Sequence, residues 1–228
     1  MIIQVLANLK DEGYLDKGRH PTVAPFFAGA NAAFRRDALE EIGGFDPACM
    51  TGEDCDICAR LSAAGKELYM RRQAVMSHNN PSTFKRLLQQ WYGYGRYHPY
   101  VFSKHNERAA EVYVRLGLPL EGERYVCLFY RRSPVGIVFF ITKYLLMHAA
   151  LGVALPAAIL GYGQTAWTAA GAAALLAAAY AWPDVRRSGI FLGSAFAAIR
   201  YVADLALFAG ALVGGFRQRM LYFSATID

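Results

Sequence analysis

Residues 51–61 read Thr-Gly-Glu-Asp-Cys-Asp-Ile-Cys-Ala-Arg-Leu, and they set Glu53, Asp54 and Asp56 immediately ahead of an apolar series at helical spacing. Ile57, Leu61 and Ala64 fall on one face, and Gly65 offers a C-terminal cap, so the spacing predicts a helix that starts at Glu53-Asp54. Asp54 then stands in a first helical turn, where unpaired backbone N–H groups and the helix dipole favour negative charge. A carboxylate there either stabilises the helix end or serves as a proton acceptor, and these four letters alone leave both open. Glu53 and Asp56 raise its proton affinity by like-charge repulsion while the helix terminus lowers it.

Upstream of that stretch, residues 25–34 (PFFAGANAAF) predict an apolar strand or loop running into Arg35-Arg36. Asp37-Ala-Leu-Glu40 has capping-box spacing for a short helix, which Gly43-Gly44 ends before a turn at Phe45-Asp46-Pro47. Downstream, residues 67–77 read as a strand ending at His78. Pro81-Ser82 opens a third helix with Phe84, Leu87, Leu88 and Trp91 on one face, broken at Gly93 and Gly95. The aromatic-rich residues 92–102, with Arg96, His98 and the nearby Lys104, suit an amphipathic surface near lipid headgroups.

Of the 228 residues 55% are hydrophobic, and the long uncharged runs lie beyond Ser133. This places a boundary near Arg131-Arg132, with a soluble α/β part over residues 1–132 and a membrane region over 133–228. In the latter, helices are expected over about 134–162 and 165–182, joined as a hairpin. Residues 189–216 are read as an amphipathic or re-entrant segment, because Arg200 and Asp204 interrupt them. Arg131-Arg132 and Arg186-Arg187 flank the hairpin, so the positive-inside bias predicts a multi-pass protein of the inner membrane with its soluble part cytoplasmic.

The net charge of +6 is spread in short clusters through both halves. It fits an anionic lipid surface or phosphorylated substrates, and no nucleic-acid motif accompanies it. Four cysteines are too few for a disulfide scaffold, and Cys49, Cys55, Cys58 and His78 match no closed zinc knuckle. The N-terminus lacks a basic segment followed by a long apolar core, so it is not read as a secretory signal.

Taken in order, GANAAFRRDAL, EIGGFD, TGEDCDICARL and then His78 resemble the second half of the catalytic domain of family-2 glycosyltransferases of GT-A fold, over roughly residues 25–100. The resemblance implies a partial GT-A domain, nucleotide-diphospho-sugar transferase-like, followed by α-helical membrane segments. It implies inverting transfer of a sugar from a nucleotide-diphosphate donor to a hydroxyl acceptor, lipid-linked or polysaccharide. Carried over to these positions, the base is Asp54, which fits a reaction whose nucleophile is poor until a carboxylate takes its proton.

Asn31, Arg35 or Arg36, Glu53 and Asp56 are the candidates for lining the acceptor or diphosphate site. His78 is a candidate contact for a divalent metal (Mg or Mn) or, equally, a structural histidine. Leu87-Leu-Gln-Gln-Trp91 partly resembles the Gln-x-x-Arg-Trp signature of processive members, which makes Gln90, Trp91 and Arg96 further candidates, although no Arg fills the expected slot. Core packing is the competing reading of Trp91. The family's nucleotide-binding half and its metal-carrying Asp-x-Asp are not found, so the chain is expected to be incomplete without an upstream donor-binding half. The alternative is a non-catalytic membrane scaffold derived from such an enzyme.

Overall fold

The structure, a computed structural model, describes residues 13–14, 29–70, 74–77, 81–115 and 125–224. The acidic stretch forms helix α2 (Glu53–Ala63), entered through Gly52 in the left-handed region at φ 81°. A side chain at Gly52 would be strained there and would also meet Val101 Cγ2 at 3.1 Å, so the sharp entry requires glycine. Ile57, Cys58 and Leu61 are buried on the inner face of α2, packed with Leu68 and with Phe34, Ala38, Leu39 and Ile42. The last four flank or belong to the short helix α1 (Arg36–Glu41), which Gly43 and Gly44 terminate at positive φ. Both helices match the expectation from periodicity and glycine punctuation.

Strand β1 (Gly13–Tyr14) pairs antiparallel with β2 (Tyr69–Met70). Among the described residues of the strand expected over 67–77, Tyr69–Met70 form β2 and 74–77 are irregular; residues 71–73 and His78 lie outside the described residues.

Helix α3 (Phe84–His105) is capped by Thr83, whose Oγ1 accepts from the Arg86 N–H at 3.3 Å. It runs unbroken through Gly93 and Gly95, contrary to the expected break. The reason is packing: a Cβ on Gly95 would lie 1.9 Å from the Leu207 carbonyl oxygen, and Gly210 and Gly214 in turn press on the backbone of Tyr92 and Arg96. Glycine here lets two helix backbones touch. Trp91, 8% exposed, is buried with Ala203 and Leu207 in the same seam.

A four-stranded mixed sheet follows, in the order β4-β3-β5-β6. Strand β3 (Ala109–Arg115) is antiparallel to β4 (Tyr125–Arg132) and parallel to β5 (Gly136–Ile141), which is parallel to β6 (Met220–Phe223). Tyr113, Val138, Met220 and Tyr222 bury one face of it against Ala211, with Phe102 and Phe140 packed alongside. The sheet therefore joins strands from both sides of Arg132.

Helix α4 (Lys143–Ile159) starts later than the helix expected from residue 134, because residues 136–141 are a strand. A continuous apolar run does not by itself distinguish a buried strand from a helix. Its 17 residues fall short of the roughly 20 needed to cross a bilayer core. Helix α5 (Gly163–Arg217) is long and apolar enough to cross a membrane by length and composition.

It is not straight: Gly189, at φ 78° and ψ 171°, folds it into arms over residues 163–188 and 190–217. Arg200 donates to the Asp184 carboxylate at 2.7 Å and to the Tyr180 carbonyl at 2.5 Å, and the Tyr180 hydroxyl donates to Asp204 at 2.5 Å. These pairings, with Gly193 against the Val185 backbone, make the arms antiparallel neighbours. The charges that interrupt the apolar segment are thus partnered within the hairpin.

Candidate active site

The N-terminal turn of α2 presents Asp54 with both carboxylate oxygens oriented by backbone. Oδ2 accepts from the Gly29 N–H at 3.1 Å, in a single 3-10 turn over Gly29–Asn31, and Oδ1 accepts from the Cys55 N–H at 2.8 Å. Among the described residues Asp54 has no cationic partner within ion-pair distance, and it keeps partial solvent exposure. Glu53 sits beside it, its Oε1 3.5 Å from where a Cβ on Gly29 would stand. Asn31 ties the same turn down by donating from Nδ2 to the Ala74 carbonyl at 2.7 Å.

Asp56 has a different fate. It is 0% exposed, with Lys104 and the His105 ring each 2.8 Å from one oxygen and Arg60 2.8 Å from the other. Burial pushes its carboxyl up, but hydrogen bonds from Lys104, His105 and Arg60 outweigh that and hold it below the usual range. The structure therefore gives Asp56 an internal, architectural position.

Lys104 also reaches Asp46 at 2.6 Å, and the Tyr100 hydroxyl donates to the same oxygen at 3.0 Å. Asp46 is held down to about 2, first by Lys104, then by the Ala48 N–H and Tyr100. Sequence reasoning put Lys104 on a lipid-facing surface; instead it neutralises the two acidic segments on either side of Asp54. Nothing local in the sequence announces a pairing between residues 49 apart, as His105 and Asp56 are.

His98, one turn before Val101 on α3, also faces this region. Burial lowers its pKa to about 4, opposed by the charge of Asp54, so the ring is neutral at physiological pH.

The remaining candidates lie apart from that constellation. Arg35 forms a bidentate pair with Asp37 at 3.0 and 2.5 Å, and Arg36 pairs with Glu40 at 2.9 Å, all exposed on α1. Gln90 donates to the Tyr94 hydroxyl at 2.6 Å, Trp91 is committed to the seam with α5, and Arg96 lies 5.7 Å from the Tyr97 ring centroid. Burial pushes the Cys49 thiol up to about 11 and the Cys55 thiol well above its ordinary value, so neither is a thiolate. Among the described residues no group of three His, Cys, Asp or Glu side chains is arranged to hold a metal ion. The described residues therefore offer no ligand set for the expected divalent metal, and the candidate His78 lies outside them.

The model of the glycosyl transferase family group 2 matches residues 15–183, most of the chain and all of the site just described. The chain belongs to the family-2 glycosyltransferases. It is 28% identical over 98 residues to a pre-mycofactocin glycosyltransferase of Mycobacterium tuberculosis (strain H37Rv), covering 43% of this chain and 21% of that protein. It is 31% identical over 77 residues to the succinoglycan biosynthesis protein ExoA of Rhizobium meliloti (strain 1021), covering 34% of this chain and 23% of the relative. The chain thus spans under a quarter of the length of these relatives. No solved structure matches it. The mixed sheet and its helices fit a nucleotide-diphospho-sugar transferase-like domain, as expected of a family-2 transferase.

Proposed function

We propose that this glycosyltransferase moves a sugar, with inversion, from a nucleotide-diphosphate donor to a hydroxyl on a lipid-linked or polysaccharide acceptor, with Asp54 as general base. One observation carries the reading. Of the aspartates at 46, 54 and 56, the outer two are ion-paired with Lys104 and Arg60, whereas Asp54 is oriented by N–H groups and remains without an ion-pair partner among the described residues. A carboxylate held in place but not ion-paired is free to accept a proton.

In the step proposed, the acceptor O–H gives its proton to an Asp54 oxygen as its own oxygen bonds to the anomeric carbon. The bond from that carbon to the diphosphate oxygen breaks, and the nucleoside diphosphate leaves with the electron pair. In the same proposal Glu53 accepts a hydrogen bond from the acceptor, a role supported by its position beside Asp54 and Gly29. The expected divalent metal has no group of ligands among the described residues, and the sequence-based candidate His78 lies outside them.

Membrane attachment belongs to the same proposal. It is supported by the length and apolar character of α5, by exposed Trp167 and Trp182 on its first arm, and by the arginine pairs at 131–132 and 186–187. On this reading the chain is held at the inner membrane through α5, with the sugar-transfer domain cytoplasmic.

The test is Asp54→Asn in the full-length protein, with release of nucleoside diphosphate followed over a panel of UDP-, GDP- and dTDP-sugars. Turnover is expected to fall by about 10²- to 10⁴-fold. Turnover within a few-fold of the parent would remove Asp54 from the mechanism.

A further inference from the structure

The fold at Gly189 leaves a tip whose composition is unlike the rest of the hairpin. Ile190, Phe191 and Leu192 are 73%, 93% and 62% exposed, and Trp182 on the opposing arm is 60% exposed. Arg186 and Arg187, both exposed, stand three and two residues before the turn. The acid nearest in sequence, Asp184, is already held by Arg200 at 2.7 Å, so it does not neutralise the arginine pair. Glycine at the turn is required by its φ of 78° and ψ of 171°, a region closed to other residues, and this geometry thrusts three consecutive bulky side chains outward. A single exposed apolar residue needs no explanation, but three in a row beside two guanidinium groups with no acidic partner among the described residues do.

We infer that the Gly189 tip is a membrane-interface anchor that inserts Ile190, Phe191 and Leu192 among the outer acyl carbons of an anionic bilayer while Arg186 and Arg187 bind lipid phosphate. The inference rests on the membrane reading above and makes it specific. Apolar side chains at the turn gain by leaving water. The guanidinium groups, two and three residues up the arm, then lie at headgroup depth, where planar donors match phosphate oxygens. Trp182, with an apolar ring and one N–H, suits the same layer. Charge complementarity selects anionic over zwitterionic lipid. Each basic residue near such a surface is worth roughly fivefold in affinity, so the pair should favour an anionic lipid by about 25-fold.

The experiment uses the full-length protein with Trp91, Trp167, Trp182 and any tryptophan outside these 228 residues replaced by Phe, and a single reporter, F191W or L175W. Each is titrated in detergent with brominated phosphatidylglycerol and brominated phosphatidylcholine, then reconstituted in vesicles brominated at different acyl depths. At position 191, quenching is expected to be strongest from shallow bromines, with the phosphatidylglycerol preference given above. Arg186→Gln with Arg187→Gln should abolish that preference, and Arg186→Lys with Arg187→Lys should keep most of it.

No quenching at 191, strongest quenching from the deepest bromines, or a preference untouched by the glutamine pair would each overturn the anchor. The L175W reporter, on an exposed leucine of the first arm, tests the membrane reading separately. Quenching at 175 without quenching at 191 sinks only the anchor, whereas silence at 175 sinks the membrane reading itself.

Discussion

Asp54, Asp56 and Asp46 are the same side chain in three physical situations, and each situation fixes what a substitution does. At Asp56 the carboxylate is fully buried against Arg60, Lys104 and His105. Asp56→Asn leaves Arg60 and Lys104 without the charge that offsets them, and should cost about 3 kcal/mol of stability. Chemical unfolding of the purified variant measures this, and a midpoint equal to the parent's would show the cluster to be dispensable.

Asp46 gives a pH signature. Its folded pKa, about 2, lies below its ordinary 3.8, so above 3.8 the folded state gains from its ionisation and that gain is lost as pH falls through about 2. The gap in melting temperature between the parent and Asp46→Asn should therefore be constant above about pH 4 and close toward pH 2. A gap that widens on acidification would reverse the assigned sign.

Among the elements, α2 was legible in the sequence and the sheet was not, for reasons that differ in range. Helix α2 is specified locally, by Gly52 ahead of it, acidic residues in its first turn, apolar residues at helical spacing and Gly65 after it. Strand β5 depends on β3 and β6, and β6 lies more than seventy residues downstream of it, so its apolar run was read as the start of a membrane helix. The place of Asp54 in a first helical turn is likewise visible in the sequence, but the lysine that pairs with its neighbours arrives from the far end of α3.

Gly93 and Gly95 show the same limit within two residues. Both read as helix breakers, yet neither breaks α3, and their surroundings separate their roles. A Cβ at Gly95 meets the Leu207 carbonyl at 1.9 Å and the Ala211 nitrogen at 2.8 Å, while at Gly93 nothing lies within 4 Å. Gly95→Ala should force α3 off α5 and cost about 3 kcal/mol. Gly93→Ala should instead stabilise by about 0.5–1 kcal/mol through helix propensity. Opposite shifts in thermal unfolding are expected, and equal shifts would mean the seam yields more readily than its backbone contacts imply.

At the scale of the whole molecule, the consequential feature is that a 55-residue helical sequence doubles back on itself. Drawn out straight, the rise between Leu175 and Leu212 would be about 55 Å, at 1.5 Å per residue over 37 residues. In antiparallel packed arms the axes lie only about 8–10 Å apart, which brings the two positions within reach of one another. Two forces hold the doubled form: the Arg200 and Asp204 contacts to the first arm, and the Gly189 conformation.

Spin labels at Leu175 and Leu212, both exposed, should therefore report a separation of roughly 20 Å once label length is added to the packing distance. Gly189→Ala puts a Cβ where φ is 78°, at a cost of about 1–3 kcal/mol, and should populate a second, longer distance. Arg200→Met in the same background removes the ion pair and should raise that population further, since the arms then lose a contact that only the doubled form makes. A single long distance in the unsubstituted protein would mean that the apolar segment extends as one rod, and the partnering of Arg200 and Asp204 described above would have to be abandoned.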